Sequence, residues 1–189
     1  MNNKGFISVG VVLVAVLLII VGGFVSLYNG LKEAEITVDA SYGQVENQMQ
    51  RRSDLIPNLV NTVKGYDIHE KSIIEEVVNA RAKLAGAQGV EQMDAANAEL
   101  TGALGRLFAI VEAYPDLKAN TQYLELMREL SGSENRIAVA RRDYNEAVRA
   151  YNVRIATFPG VFLAGMMGMT AKPQFQAKKG ADAVPEVKF

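Results

Sequence analysis

The chain has 189 residues, with 20 Lys and Arg against 21 Asp and Glu, and a formal net charge of −1. This balance argues against nucleic acid as a partner, because nucleic-acid binders carry a basic face or stripe. The sequence contains no cysteine, which excludes disulfides, thiolate nucleophiles and cysteine-based zinc sites.

The chain begins with a long apolar run. No charged side chain lies between Lys4 and Lys32, and residues 6–25 are almost entirely apolar. About 20 apolar residues, at about 1.5 Å per residue, cross a hydrocarbon core of about 30 Å. We therefore predict a short flank at residues 1–4 and a transmembrane helix at residues 5–31.

A cleaved signal peptide is the alternative for this segment, because Lys4 followed by an apolar stretch also resembles a signal sequence. The run is too long for that and lacks a clear cleavage site before Tyr28, so we favour an anchor that contacts membrane lipid through residues 6–28. Lys4 lies on the N-terminal side of the apolar run, where no acidic residue offsets its charge. On the other side, acidic residues soon follow Lys32 and offset its charge. The positive-inside rule then predicts a single-pass membrane protein with a cytoplasmic N-terminus and an extracytoplasmic domain.

Apolar residues then recur in steps of three and four, which is the period of packed helices. These seams run through residues 38–66, 74–84, 93–111 and 123–155. The alternating β-branched runs that indicate strands are absent from the sequence. We predict an all-α fold, in which the transmembrane helix precedes an antiparallel bundle of about four helices over residues 32–157, with long first and last helices.

Glycine and proline mark the expected helix ends. Gly86 and Gly89 separate the second and third helices, and Pro115 ends the third, because the residue before a proline is disfavoured in the α region. The last helix is predicted to run from Lys118 to Thr157, where Pro159 closes it.

Pro57 lies inside the first seam. Its missing N–H leaves the Ser53 carbonyl without its helical partner, so we predict a kink and a side chain or water that satisfies this oxygen. The alternative is a helix break with Ser53 or Asp54 as N-cap, since proline prefers the first helical turn.

Charged residues interrupt both long seams. Arg52 lies on the first seam, and Glu134 and Arg141 lie on the last. A buried charge requires a partner, so we expect these residues to form a structural polar core that fixes helix register. The alternative function is a site for a small anion or a proton-linked switch anchored by Arg52.

Catalytic motifs are not found. His69 and Glu70 begin like a metalloprotease helix, but Ile73 stands where a second histidine is needed. No nucleophile and base can be named together, so we expect no catalytic residues, no cofactor, no metal and no enzymatic activity. For His69 we expect a capping or surface position, with a pH-sensitive contact near the membrane as the alternative.

The C-terminal part changes character twice. Residues 158–169 are apolar but too short to span a bilayer, and residues 170–189 are predicted to be extended or disordered. The apolar segment folds back on the bundle, docks on another subunit or lies at the lipid interface. We favour the first two, because the segment lacks a basic face. Its candidate interaction residues are Phe158, Phe162, Met166 and Met167.

Several motifs together resemble the LemA family of bacterial membrane proteins. They are Tyr28-Asn29, the undecapeptide from Gln50 to Val60, Val63 to Tyr66, His69-Glu70, the octapeptide from Glu112 to Ala119, Glu134, Arg141, Tyr144-Asn145, Tyr151-Asn152 and Phe158-Pro159. The resemblance implies an N-terminal anchor in the bacterial inner or cytoplasmic membrane and a bundle of long helices, without an established activity. Some members look like lipoproteins, but this chain has no lipobox cysteine. Other relatives are associated with magnetosome membranes.

Two functions follow as expectations. The first is a non-enzymatic scaffolding protein of the bacterial envelope that forms a homo-oligomer. The second is a membrane-tethered adaptor that presents a helical groove to an envelope protein partner, with Arg51, Asn58 and Tyr66 on exposed flanks.

Overall fold

A computed structural model describes residues 3–66 and 70–176, with side chains from Gly10 onward. No strand occurs among these residues, so the predicted all-α class is confirmed. The helices are α1 (Asn3–Lys64), α2 (Lys71–Gly86), α3 (Gly89–Val111), α4 (Pro115–Lys118), α5 (Thr121–Ala156) and α6 (Gly160–Met166).

The chain divides into two compact units. The first unit contains the chain up to Ala40 together with Glu146–Lys172. The second unit contains Ser41–Asn145 together with the chain from Pro173. Helices α1 and α5 each contribute to both units.

Helix α1 begins within the apolar run and does not end where that run ends. The large apolar side chains from Val11 to Val25 are exposed. By length and composition, α1 is the one helix in the described part of the chain that suits a membrane crossing. It then continues as helix past Leu31, which is buried, to Lys64.

The predicted seams form the protein core. Side chains of the first seam from Val45 to Val63 are almost fully buried, and the α3 seam from Met93 to Val111 is buried as well. In α5, the same holds for Leu130, Ile137, Tyr144, Val148 and Tyr151. Burial of these stripes provides the main stabilisation, because helices of this length gain most of their stability from packing.

Side-chain pairs fix the helix directions within the second unit. Arg106 on α3 binds Glu76 on α2, and Lys83 lies 2.6 Å from Glu99, so α2 and α3 are antiparallel. The rings of Tyr42 and Tyr144 are 5.7 Å apart, and Arg51 lies 3.4 Å from Glu129. The α1 and α5 segments of this unit are therefore antiparallel too.

Helix ends follow the glycine and proline signals, with one shift. Gly86 ends α2, and Gly89 begins α3 with a φ of 74°, a conformation that favours glycine. The last helix starts at Thr121 rather than Lys118. The reason is a local cap, because the side-chain oxygen of Asn120 accepts a hydrogen bond of 3.0 Å from the Tyr123 N–H.

Pro57 lies within α1, so the alternative helix break at Ser53 or Asp54 is wrong. The Ser53 carbonyl that Pro57 deprives of its helical donor accepts a hydrogen bond of 3.0 Å from Arg81 Nε on α2. The prediction that a side chain satisfies this oxygen is confirmed. The bond also ties α2 to the C-terminal part of α1.

We expect Arg81→Met to destabilise the protein by about 1–3 kcal/mol, because the Ser53 carbonyl then lacks a donor. Combining it with Pro57→Ala restores a backbone N–H to this carbonyl, so Arg81→Met should cost less in that background. Denaturant unfolding of the four proteins, followed by circular dichroism, measures the coupling. An equal cost in both backgrounds would contradict this role for Arg81.

Candidate functional site

A buried arginine joins three helices of the second unit. The Arg52 residue on α1 is 4% exposed, and its Nη1 lies 2.6 Å from Glu134 Oε2 on α5. The same nitrogen donates to Asn97 Oδ1 at 2.6 Å and to Thr101 Oγ1 at 3.1 Å on α3. We call Arg52, Asn97, Thr101 and Glu134 the Arg52 cluster.

The electrostatics of the Arg52 cluster favour a structural role. Burial lowers the pKa of the Arg52 guanidinium, and the Glu134 carboxylate opposes this shift. The Glu134 side chain is 42% exposed as a whole, but the Oε2 atom that faces Arg52 is buried. The chain's own acceptors already surround Arg52 Nη1, and the buried Nε has no hydrogen-bond partner among the described residues. This geometry favours a role in the register of three helices over an open anion site.

Arg141 does not join Glu134 and Arg52, so the predicted three-residue cluster is not formed. Arg141 lies 2.7 Å from Asp94 on α3 and donates to the Gln176 carbonyl at 3.1 Å. Its guanidinium carbon also lies 4.8 Å from the centre of the Phe175 ring. Asp94 is next to Met93 but off the apolar seam, which is why the sequence analysis did not select it.

Each unit contains a tyrosine–asparagine pair of α5 that binds the extended chain after α6. In the first unit, the Tyr151 hydroxyl donates to the Thr170 carbonyl at 3.2 Å. Asn152 Nδ2 donates to the Lys172 carbonyl at 3.0 Å, and its Oδ1 accepts from the Lys172 N–H at 2.9 Å. The asparagine therefore satisfies both backbone groups of one residue, as a neighbouring strand would.

The same arrangement recurs in the second unit. The Tyr144 hydroxyl donates to the Pro173 carbonyl, and Asn145 exchanges two bonds with the backbone of Phe175, all at 2.9 Å. The Phe175 side chain is 5% exposed and meets the Tyr144 ring edge-on at a centroid distance of 5.3 Å. We call the two pairs, Tyr144–Asn145 and Tyr151–Asn152, the tail clamps. They recognise backbone groups, and only Phe175 adds a buried large apolar side chain.

The candidate residues near the end of α1 have mixed surroundings. Arg51 is exposed beside Glu129, and Asn58 is exposed. Tyr66 is half-buried, and its hydroxyl accepts a hydrogen bond of 2.7 Å from the side chain of Asn120. Tyr66 thus supports the cap of α5 instead of lying on an exposed flank. His69 lies outside the described residues.

The apolar segment around α6 has one packed side and one bare side. Leu163 and Ala164 are buried, which matches the expected folding back onto the chain. The exposed fractions of Phe158, Phe162 and Met166 are 80%, 69% and 79%, and Met167 is half-buried. We call the three exposed side chains the α6 apolar face.

An open groove of about 490 Å³ lies between the α1 and α5 segments of the second unit. The groove is lined by Ser41, Gln44, Gln48, Asn135, Arg136, Val139, Ala140 and Asp143. Its floor contains Gln48 Oε1, a buried oxygen without a hydrogen-bond partner in the described part of the chain. Within the described ranges, no three His, Asp or Glu side chains lie close enough together to hold a metal ion.

These features define a helical-bundle protein with an N-terminal helix suited to crossing a membrane. The sequence model of the LemA family matches residues 41–189, and the chain belongs to this family.

The chain is also similar to individual members. It is 28% identical over 181 residues to Magnetosome protein MamQ 2 of Paramagnetospirillum magneticum, which covers 82% of this chain and 66% of that protein. Magnetosome protein MamQ of Magnetospirillum gryphiswaldense gives the same identity and coverage. Protein LemA of Metamycoplasma hominis is 26% identical over 139 residues, which cover 71% of this chain and 62% of that protein. The chain thus spans slightly less than two thirds of the length of these relatives.

We expect Arg52→Ala to destabilise the protein by about 3–5 kcal/mol, because it removes one partner of a buried ion pair and leaves Asn97 and Glu134 uncompensated. The neighbouring Arg51→Ala is the matched control. Its exposed pair with Glu129 should contribute at most about 1 kcal/mol. Thermal unfolding in detergent provides the comparison, and an unchanged melting temperature for Arg52→Ala would contradict the structural role.

Proposed function

We propose that this protein is a membrane-anchored, non-enzymatic scaffold of the bacterial envelope that self-associates through the groove between α1 and α5. The bundle lies on the extracytoplasmic side of the inner membrane in this proposal. Support for membrane association comes from the exposed apolar run of α1 and from the LemA family membership. Support for a non-enzymatic role comes from the family, which has no known enzymes.

The observation that carries self-association is the groove itself. Val139 is 49% exposed there, although the α5 residues on the opposite side of the helix are buried. A groove between two helices accepts the ridge of a third helix at an interaxial distance of about 8–10 Å. A polar group on such a helix would satisfy Gln48 Oε1.

The charges that line the groove favour a second copy of this chain as the occupant. Arg136 and Asp143 are seven residues apart on α5, so they lie two turns apart on one side of the helix. Two copies related by a two-fold axis would place Arg136 of each copy near Asp143 of the other. The proposed interface would therefore be self-complementary in charge, with these contacts replacing the exposed pairs of Arg136 with Glu129 and of Asp143 with Arg142.

An adaptor function is the second candidate. The groove is open, and a helix from another envelope protein with matching polar groups would fit the same surface. A photo-crosslinker at Gln44 distinguishes the two functions in cells, because a scaffold yields adducts between copies and an adaptor yields adducts with a different protein.

We expect the detergent-extracted chain to run as an oligomer in mass photometry, and Val139→Arg to shift it toward the monomer, because a charge would be buried at the interface. Leu124→Arg is the control, since Leu124 is an exposed apolar residue of α5 that does not line the groove.

Charge reversal provides a second measurement of the same proposal. Arg136→Asp and Asp143→Arg should each weaken the oligomer, and the double variant should restore it. A monomeric unmodified chain, or an oligomer that none of these substitutions alters, would contradict self-association through this groove.

A further inference from the structure

The α6 apolar face belongs to a stretch of unusual composition. No charged residue occurs between Arg154 and Lys172. Helix α6 has only seven residues, about 10 Å of helix, so it is far too short to cross a bilayer. Phe158 and Phe162 meet edge-on at a centroid distance of 6.0 Å, and Met166 continues the same face one turn further.

The first unit places α6 beside the end of the apolar run of α1. Arg154 Nη1 donates to the Gly30 carbonyl at 2.9 Å. A side chain at Gly160 would come within 2.1 Å of the Arg154 carbonyl oxygen and 3.7 Å of Leu31 Cδ2, so only glycine permits this close packing. Helix α6 therefore begins against Leu31, beside the end of α5 that binds the Gly30 carbonyl.

This position matches the boundary of a bilayer that α1 would cross. Val25 ends the continuous series of exposed large apolar residues, and Tyr28 is exposed at 41%. Gly30 is five residues beyond Val25, or about 7.5 Å along the helix. The interfacial layer on each side of the hydrocarbon core has a similar thickness, about 5–8 Å.

We propose that the α6 apolar face lies in the boundary between acyl chains and headgroups of the bilayer that α1 crosses. The protein then contacts lipid in two ways, through a spanning helix and through an interfacial helix on the same side as the bundle. This inference rests on the membrane crossing of α1 but not on self-association.

Two features favour lipid as the occupant. The α6 apolar face lies close to the end of the exposed apolar surface of α1, since Gly160 packs against Leu31, six residues beyond Val25, within the first unit. A basic face is needed when an amphipathic helix must be attracted to a membrane by itself. Here the spanning helix already holds α6 at the surface, so the apolar side chains alone suffice to seat it at a depth of about 5–10 Å.

Tryptophan fluorescence tests this depth, because the chain contains no tryptophan. The full-length Phe162→Trp protein is placed in nanodiscs whose lipids carry bromine at shallow or deep acyl positions. We expect bromine to quench its emission, more strongly at the shallow position than at the deep one. Phe162 is exposed at 69%, so the substitution should leave the fold intact.

Two matched variants give the reference values. Leu18→Trp, in the middle of the apolar run, should be quenched more by deep bromine, which establishes that α1 crosses the bilayer. Ile36→Trp is exposed at 65% on the same helix but about 16 Å beyond Val25, so it should not be quenched.

The remaining outcomes overturn the proposal. A Phe162→Trp protein with blue-shifted emission but no quenching by bromine would show that protein, such as a second copy, covers the α6 face. Red-shifted emission that an aqueous quencher reduces would show that the face is bathed in water. If Leu18→Trp also escapes bromine, the membrane crossing of α1 fails and the inference fails with it.

Discussion

The fold depends on a constraint that acts at the amino-terminal end. In hydrocarbon, every backbone N–H and C=O must find a partner within its own segment, so a single spanning segment must be helical. Helix α1 meets this requirement over the apolar run and keeps its helical bonds to Lys64. The first unit is assembled directly on the continuation of this helix, through Leu31, the Gly30 carbonyl and the Asp39 carboxylate, which lies 2.6 Å from Lys172. The helix passes from the apolar run into the rest of this unit without a break.

Much of this architecture follows from periodicity alone. Residues such as Ile56, Leu107 and Val148 repeat at helical spacing and are buried, because a helix stabilises itself mainly by packing one apolar stripe. The orphaned Ser53 carbonyl was also predictable, since it follows from the missing N–H of Pro57. The identity of its donor was not, because Arg81 is 28 residues away and nothing local connects the two.

The polar contacts were harder to predict for the same reason. Arg52 and Glu134 are anomalous on their seams, and Asn97 falls on the α3 seam as well, four residues after Met93 and three before Leu100. Thr101 and Asp94 lie off that seam and carry no such signal. The tail clamps did leave a trace, as the repeated Tyr-Asn pairs at Tyr144 and Tyr151. The two pairs are seven residues apart along a helix, which is a length of about 10 Å. Their first targets, Thr170 and Pro173, are three residues apart in an extended chain, which is a similar length. Side chains that bind backbone place no demand on the target's residue types, so the target sequence cannot reveal them.

The distance between two spin labels on α1 tests the central claim, that the apolar run continues as one uninterrupted helix into the rest of the first unit. The chain has no native cysteine, so Gly22→Cys and Ala40→Cys can be labelled selectively, and both positions are exposed. They are 18 positions apart, which is five helical turns, so the labels project from the same side. In nanodiscs we expect one narrow distribution of label-to-label distances, centred at about 27 Å. A broad distribution, or a clearly shorter mean distance, would show a hinge between the membrane and the bundle and would contradict it.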